Sequence, residues 1–253
     1  MKGTIFFLLL AVALVGCRGP EGPVGPEGPA GTLPVYITGY VESPFGGDAT
    51  SDVRVEVSNV SGLPAVYVND IKIPLDIYRG TYRFRDYDFP ISAGDSAKLR
   101  VEHAKYDDGL GISQADVKLP GHFMITSHDT SGIDTIPFGN QLVITWNSSE
   151  GADLYRAGVR FFCRYRDTTD VNQEFYLNLD TLFADTSIIF ASSEIFPDTT
   201  VVDSLIYYSG DFMISSLSGP WQEGEPGNVT GDGIGSFHGW TDGAILRFYA
   251  VRN

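Results

Sequence analysis

The chain of 253 residues is 43% hydrophobic and 19% charged, so it contains enough apolar material for a folded core and is not globally disordered. Its formal net charge of −15 argues against a nucleic-acid-binding protein, because contact with phosphates needs a basic surface. Aromatic residues reach 13%, and together with many Val, Ile and Thr residues they favour strands over helices. The length allows one large β domain or two small ones.

The amino-terminal segment has the pattern of a bacterial export signal. Lys2 supplies a positive charge, and an uncharged apolar run follows from Ile5 to Val15. This run is shorter than the ~20 residues that a membrane-spanning helix needs. We therefore expect a cleavable signal peptide rather than a transmembrane helix.

Residues 14–17, Leu-Val-Gly-Cys, resemble the lipobox of bacterial lipoproteins, in which an aliphatic, a variable and a small residue precede cysteine. The resemblance implies that residues 1–16 are removed as a signal peptide and that Cys17 carries covalent lipid, the only cofactor we expect. Several acyl chains anchor a protein stably, whereas a single chain is marginal. Arg18 follows, and a residue other than Asp there resembles outer-membrane lipoproteins of enteric bacteria. The alternative is an ordinary signal peptide with a chance cysteine.

Residues 19–31 carry glycine at every third position, and proline follows the first four of these glycines. This Gly-X-Y period resembles the collagen-like tracts of bacterial surface proteins. Either three chains associate here as a weak, short triple helix, or a single chain forms a polyproline-II spacer of ~40 Å, at about 3.1 Å per residue. In both cases residues 17–33 are expected to form a lipid anchor and a collagen-like stalk between the membrane and the folded part.

From residue 34 onward, short alternating runs are separated by turn residues, as is typical of β-sandwiches and β-barrels. One run contains Asn69-Asp70, which predicts a hairpin because both residues tolerate positive φ. The series ends at Pro120-Gly121, which predicts a domain boundary. The two expected β-sandwich domains are residues 34–120 and 121–253.

The second half resembles strands B and C of fibronectin type III domains. Residues 141–146 read Gln-Leu-Val-Ile-Thr-Trp, and residues 151–155 read Gly-Ala-Asp-Leu-Tyr. The resemblance implies that Trp146 is a core residue. The Tyr-corner strand of that family is not evident, so the pattern favours a sandwich without strict membership. The expected class is all-β, with two immunoglobulin- or fibronectin-III-like β-sandwich units after the signal peptide and linker.

Three further patterns have structural interpretations. Cys163 shares its strand parity with Phe161 and Tyr165, which predicts a buried thiol, with a reactive cysteine as the alternative. His103 is expected to be an inward, hydrogen-bonded strand residue. Asp-Thr pairs are suited to Asx turns, with calcium binding as the alternative. These pairs begin at residues 129, 134, 167, 180, 185 and 198.

The glycine-rich tail loop, residues 224–235, is the candidate binding element. It lies between Trp221 and Trp240, and binding residues often occupy loops that a rigid scaffold holds. Asn228 and Asp232 are its polar candidates. Their spacing is similar to the start of a calcium loop, but the bidentate acid such a loop needs is missing, so no metal is expected. The two tryptophans either stack on a sugar or a partner's apolar side chain, or plug the end of a sandwich.

No H-E-x-x-H, G-x-S-x-G or C-x-x-C motif occurs in the sequence, so we expect no catalytic residues. The string N-x-x-G-x-G-x-G-x-F over residues 228–237 resembles the C-terminal loop of uncharacterised surface lipoproteins from Bacteroidetes-like bacteria. Taken with the lipobox, it predicts an envelope lipoprotein, on the periplasmic or surface face of the outer membrane, that acts as a non-enzymatic binding or scaffold module for envelope proteins or glycans. The alternatives are a carbohydrate-binding module and a glycoside hydrolase with two convergent acids.

Overall fold

Strands dominate the computed structural model, which describes residues 34–44, 51–86, 89–105, 109–221 and 224–251. These residues form seventeen strands and one four-residue helix, so the predicted all-β class is confirmed. No helix within them has the length and apolar character needed to cross a membrane. The predicted signal peptide, the lipidation site Cys17 and the collagen-like stalk lie outside the described residues and stay predictions.

The described strands follow the alternating runs of the sequence, because successive side chains of a strand point to opposite faces. They are β1 (Val35–Ser43), β2 (Ser51–Ser58), β3 (Ser61–Val68), β4 (Ile71–Ile73), β5 (Leu75–Asp76), β6 (Thr81–Asp86), β7 (Ser96–Ala104), β8 (Leu110–Lys118), β9 (Ile133–Pro137), β10 (Leu142–Thr145), β11 (Leu154–Asp167), β12 (Asn172–Phe183), β13 (Ser187–Phe190), β14 (Val202–Ser218), β15 (Thr230–Gly231), β16 (Gly233–Asp242) and β17 (Leu246–Val251). The helix, α1, is Ser192–Ile195.

The strands pair into three sheets. The ten-stranded sheet has the order β12-β11-β14-β16-β1-β2-β6-β5, and it also includes β17, which pairs with β14, and β9, which pairs with β17. The five-stranded sheet has the order β15-β8-β7-β3-β4, and β10 pairs with β13 in a two-stranded sheet. Strands β1 and β16 pair in parallel, with Val35 beside Gly233, so the start of the domain lies against its tail.

A first hydrophobic cluster fills the space between the ten-stranded and five-stranded sheets. Ile37 and Val55 of the larger sheet and Val66 and Val101 of the smaller one are all fully buried in it. Phe237 of β16 belongs to the same cluster, although it lies far along the chain. Two sheets packed face to face across an apolar core form a β-sandwich.

A second hydrophobic cluster lies under β11, β14 and β17, against the two-stranded sheet and α1. Phe161 and Phe212 of the ten-stranded sheet contact Phe190 of β13, with ring centroids 6.1 and 6.3 Å apart. Trp146 is only 3% exposed in this cluster, which confirms the core position that the fibronectin-like pattern implies. Cys163 is fully buried there as an unpaired thiol, so the predicted buried position is also confirmed.

Strand β14 connects the two halves of the sandwich. One of its edges pairs with β11, while the other pairs first with β17 and then, over residues 215–218, with β16. Inward-facing residues alternate along β14 up to Ser216, which lies beside inward-facing Thr241, so both clusters occupy the same face of the ten-stranded sheet. Residues up to Leu119 belong to the first cluster and residues from Phe123 onward belong to the second. The exceptions are the tail residues of the first cluster. The boundary near residue 120 stays a prediction.

The local predictions have mixed outcomes. Asn69 and Asp70 have φ values of 47° and 62° and join β3 to β4, which confirms the hairpin. Three of the Asp-Thr pairs form the expected Asx turns, those that begin at Asp129, Asp167 and Asp198. The turn prediction is wrong for Asp134, which lies inside β9, and for Asp180, which lies inside β12 and forms an ion pair with Arg156, because strand pairing overrides the local preference.

One further prediction concerns a single position, His103. His103 is buried, with its Nε2 atom 3.2 Å from the Ser113 hydroxyl, so the inward, hydrogen-bonded interpretation is confirmed. Residues 123–126 form no regular strand, and Ile125 makes an isolated bridge with Trp146.

Candidate functional site

The structure brings Trp221 and Trp240 together and places Asp232 far from Trp240. The two indole rings are 5.7 Å apart and tilted by 35°. Neither tryptophan belongs to a hydrophobic cluster, so neither plugs the interior of the sandwich. Asp232 precedes β16 and Trp240 is near its end, so eight residues at about 3.3 Å each separate the two by roughly 26 Å.

Asn228 and Asp232 attach the tail loop to neighbouring strands. Asn228 accepts the backbone N–H of Phe237 at 2.7 Å and donates to the carbonyl of the same residue at 2.8 Å. Asp232 forms an ion pair with Lys105 at 2.7 Å and accepts the backbone N–H of Ile112 at 3.0 Å. These contacts attach the loop to its neighbours, and the binding role predicted for the two residues stays a prediction.

The two tryptophans stand on the outer face of the ten-stranded sheet, which is the face opposite the two clusters. The parallel pairing of β1 with β16 places Tyr40 beside His238 and Glu42 beside Trp240. All four side chains are half-buried, while their strand neighbours of opposite parity point into the core. An alternation of period two thus gathers aromatic and acidic side chains from both ends of the folded chain.

An aromatic row runs across this face through Tyr40, Trp240, Trp221 and His238. Successive ring centroids are 4.5, 5.7 and 4.3 Å apart, and the Tyr40 and Trp240 rings are stacked within 16° of parallel. The Trp221 indole donates to the Ser218 carbonyl at 2.9 Å, and burial lowers the pKa of His238. The tryptophans therefore form one half-buried cluster with their neighbours, and they are not two separate, coplanar, exposed stacking platforms.

A carboxyl pair, Glu42 and Asp242, adjoins the aromatic row. Burial, the charge of Asp242 and a hydrogen bond between the two side chains raise the pKa of Glu42 to about 7. The charge of Asp52 adds to this effect, while the nearby Trp240 indole N–H lowers the pKa. That N–H is buried and lacks a hydrogen bond of normal geometry within the described residues. Asp242 also accepts a hydrogen bond from the Ser215 hydroxyl at 2.6 Å.

A groove of about 800 Å³ crosses the outer face from the carboxyl pair to β12. Its polar lining includes Arg156, which donates to Asp180 at 2.9 Å, and the exposed Arg160. Within the described part of the chain, the Arg160 guanidinium has no hydrogen bond or ion pair. Further lining residues are Glu42, Asn178, Met213, Ser215, Trp240, Asp242 and Ile245.

The groove has the size and mixed character of a ligand-binding cleft, since such clefts usually measure about 300–1,000 Å³. Arginine, amide and carboxyl groups offer hydrogen bonds, while Trp240, Met213 and Ile245 offer apolar surface. The described residues contain no group of three or more His, Cys, Asp or Glu side chains placed to hold a metal ion.

The sequence patterns did not identify several of these residues as part of a site, although the alternation of buried and exposed positions in their strands was visible. Tyr40 and Glu42 alternate with buried residues in β1, as His238 and Asp242 do in β16. Parity predicts which residues share a face within one strand, but it does not predict which distant strands pair. The groove depends on the pairing of β1 with β16 and of β16 with β14.

Comparisons with known proteins give fold likenesses only. No model of a known protein family matches the sequence, and no curated protein matches it. A Ca²⁺-stabilised adhesin with which an Antarctic bacterium binds ice is similar over 90% of this chain, at 10% identity and a TM-score of 0.24. This chain covers 50% of that adhesin chain.

Two further solved structures have a similar relationship to this chain. The IG1 and IG2 domains of DIP-gamma match 83% of this chain and 94% of their own, at 8% identity and a TM-score of 0.21. A tetra-tandem repeat from the extending region of a large adhesion protein matches 83% of this chain and 49% of its own, at 10% identity and a TM-score of 0.22. At these scores the likenesses carry no argument about function.

Proposed function

We propose that this protein is a lipoprotein of the bacterial outer membrane that acts as a non-enzymatic binding module. In this proposal, lipid on Cys17 attaches the chain to the membrane and the Gly-X-Y tract is its stalk. The β-sandwich then presents the groove on the outer face of the ten-stranded sheet to an envelope protein or glycan. The sequence Leu-Val-Gly-Cys at residues 14–17 supports the anchor, and the groove supports the binding role.

The observation that carries the binding role is the groove with Arg160, a side chain that has no partner among the described residues. A cleft of about 800 Å³ that contains the Arg160 guanidinium, a carboxyl pair and the edge of an aromatic row can hold a ligand by hydrogen bonds and apolar contact together. If Arg160 contributed only to surface solubility, it would need no cleft around it.

The anchor is tested by replacing the lipidated cysteine. Full-length protein with Cys17→Ser should stay soluble or unprocessed and should take up no labelled palmitate. Cys163→Ser is the matched control and should label and partition into detergent like the wild type. If the Cys17→Ser protein still labels with palmitate, the lipoprotein proposal is wrong.

The groove is tested with Arg160→Ala and the control Arg164→Ala. Both arginines are exposed on the same face of β11, but only Arg160 lines the groove. Wild-type protein would be applied to arrays of envelope polysaccharides and cross-linked to proteins of the native envelope. Arg160→Ala should weaken capture while Arg164→Ala retains it. Equal capture by both variants would show that the ligand lies elsewhere.

A carbohydrate-binding module is the second candidate, because planar polar side chains and the aromatic ring of Trp240 line the groove together. Arg160-dependent capture of polysaccharides, without capture of proteins, would favour it. A glycoside hydrolase fits the geometry less well. Its two carboxyl groups lie ~5–5.5 Å or ~6.5–9.5 Å apart, whereas Glu42 and Asp242 are close enough to share a hydrogen bond. Release of reducing sugars by the wild type, abolished by Glu42→Gln, would instead establish an enzyme.

A further inference from the structure

Among the described residues, one strand at a sheet edge is much longer than all the other edge strands. The edge strands β5, β15 and β4 have two or three residues, and β9 has five. Both strands of the two-stranded sheet have four. Strand β12, which ends the ten-stranded sheet on the other side, has twelve residues. Short edges are one of the devices by which proteins prevent strand pairing between molecules, and β12 lacks it.

The outer edge of β12 is free within the described part of the chain. Its register pairs every residue with β11, and no other described strand lies against its second edge. The strand contains no Lys or Pro, the residues that commonly protect an edge. Its two acids do not guard it either, because Glu174 and Asp180 form ion pairs with Arg164 and Arg156 of β11.

Apolar side chains are exposed along β12 on both faces of the sheet. Tyr176 and Leu182 are 63% and 44% exposed on the outer face, and Leu179 is 37% exposed on the inner face. A long unpaired backbone that carries exposed apolar side chains is a ready template for another strand.

We propose that two copies of this chain pair antiparallel through β12, with Leu179 on the two-fold axis. The two-fold axis keeps each face of the sheet continuous, so residues of equal parity lie opposite one another. Centred on Leu179, this register sets Phe175 opposite Phe183 and Tyr176 opposite Leu182, so apolar residues meet apolar residues. Asp180 lies opposite Asn178, which accepts and donates without adding charge.

The positions of the charged residues favour the register centred on Leu179 over the neighbouring registers. Centred on Leu177, the pairing would set Glu174 opposite Asp180, and like charges directly opposite are destabilising. Centred on Asn178, it would set Tyr176 opposite Asp180 and Glu174 opposite Leu182, so both carboxylates would face apolar side chains. Of the registers centred on Leu177, Asn178 and Leu179, the one centred on Leu179 alone avoids both arrangements.

The pairing has a consequence for the groove, which rests on the proposed binding function. A two-fold axis perpendicular to the sheet leaves both outer faces on the same side. Because Asn178 and Asp180 line the groove, the two grooves would lie next to the shared edge. Two linked sites increase the strength of binding to a repeated ligand without any new contact.

A single introduced cysteine tests the pairing in the full-length protein in its native membrane. Directly opposite residues of an antiparallel pair have Cα atoms ~4.5–5.5 Å apart, within the range of ~4.4–6.8 Å that a disulfide spans. Leu179→Cys should therefore give a disulfide-linked dimer under mild oxidation. Leu182→Cys is the matched control, since its two copies would be six residues out of register, roughly 20 Å apart. The parent protein should give no dimer, because Cys163 is buried and, in the proposed function, Cys17 carries lipid.

Sedimentation of the detergent-solubilised protein gives a second measurement. Wild-type protein should have the mass of two chains, Leu179→Lys that of one, and Ile206→Lys, a control at an exposed site on the central strand β14, that of two. A monomeric wild type overturns the proposal. So does equal cross-linking of Leu179→Cys and Leu182→Cys, or a Leu179→Cys product with a different protein.

Discussion

The raised pKa of Glu42 makes the stability of the protein depend on pH. The folded protein holds the pKa of Glu42 at about 7, whereas the unfolded chain leaves it near the ordinary value of 4.5. Between these values the folded state binds a proton that the unfolded state has released. This contribution to stability is therefore complete below about pH 4.5 and is lost as the pH rises through about 7.

We expect Glu42→Gln to remove this loss, because a neutral amide keeps a donor for Asp242 at every pH. Relative to the wild type, the variant should gain about 1–2 kcal/mol of unfolding free energy between pH 5 and pH 8, after allowance for solvent screening of a half-buried pair. Urea denaturation at pH 5, 6, 7 and 8 measures it. Glu56→Gln, an exposed site on β2, is the control. Parallel pH profiles for Glu42→Gln and the wild type would contradict the assignment.

Cys163 should be inert in the native protein. Burial raises the pKa of its thiol to about 12, so almost no thiolate exists at pH 8, and the side chain is fully enclosed by the second cluster. A thiol reagent at pH 8 should label denatured protein quickly and native protein only at the rate of unfolding. Rapid labelling of the native form would revive the reactive-cysteine alternative.

At the scale of elements, the tail loop needs glycine where its backbone lies close to neighbouring backbone atoms. Gly235 has φ of +140°, and a Cβ atom there would lie 1.7 Å from the carbonyl oxygen of Ile37 in β1. A Cβ atom at Gly227 would lie 1.9 Å from the carbonyl oxygen of Gly235. The loop is thus held by contacts that only glycine permits, and its composition does not by itself indicate a ligand.

We expect Gly235→Ala to weaken the pairing of β1 with β16. The forced backbone shift and the positive φ should lower the free energy of unfolding by about 2–3 kcal/mol or more. Gly132→Ala is the control, because a Cβ atom there meets nothing within 4 Å. Equal urea midpoints for the two variants would show that β1 and β16 tolerate the displacement.

At the scale of the whole molecule, the ten-stranded sheet connects the two hydrophobic clusters. Both clusters pack on the same face of that sheet, and β14 pairs with strands of both halves. The tail strand β16 belongs to the first cluster although β17, which follows it, belongs to the second. Unfolding of one half therefore exposes the edge of the other.

We expect the two halves to unfold in one transition. Phe161→Ala in the second cluster should cost ~3–5 kcal/mol and lower the stability of both halves together. Variants that retain either Trp146 alone or Trp240 alone would report on each half by fluorescence. Coincident midpoints support coupling. Two separate transitions, with only the Trp146 signal shifted by Phe161→Ala, would show independent domains that divide near residue 120.

The sequence by itself determined the features that depend on near neighbours. Alternation of period two predicted the all-β class and the inward position of Cys163, and the positive-φ tolerance of Asn69 and Asp70 predicted their hairpin. Only the tertiary structure decided which strands pair. The parallel contact of β1 with β16 brings Glu42 beside Trp240 and Asp242 at one groove. Because β16 is extended, Asp232 lies at the opposite end of that strand. Many pairings satisfy the same alternation, and packing of the whole core selects among them, so a site built across distant strands is not visible in local pattern.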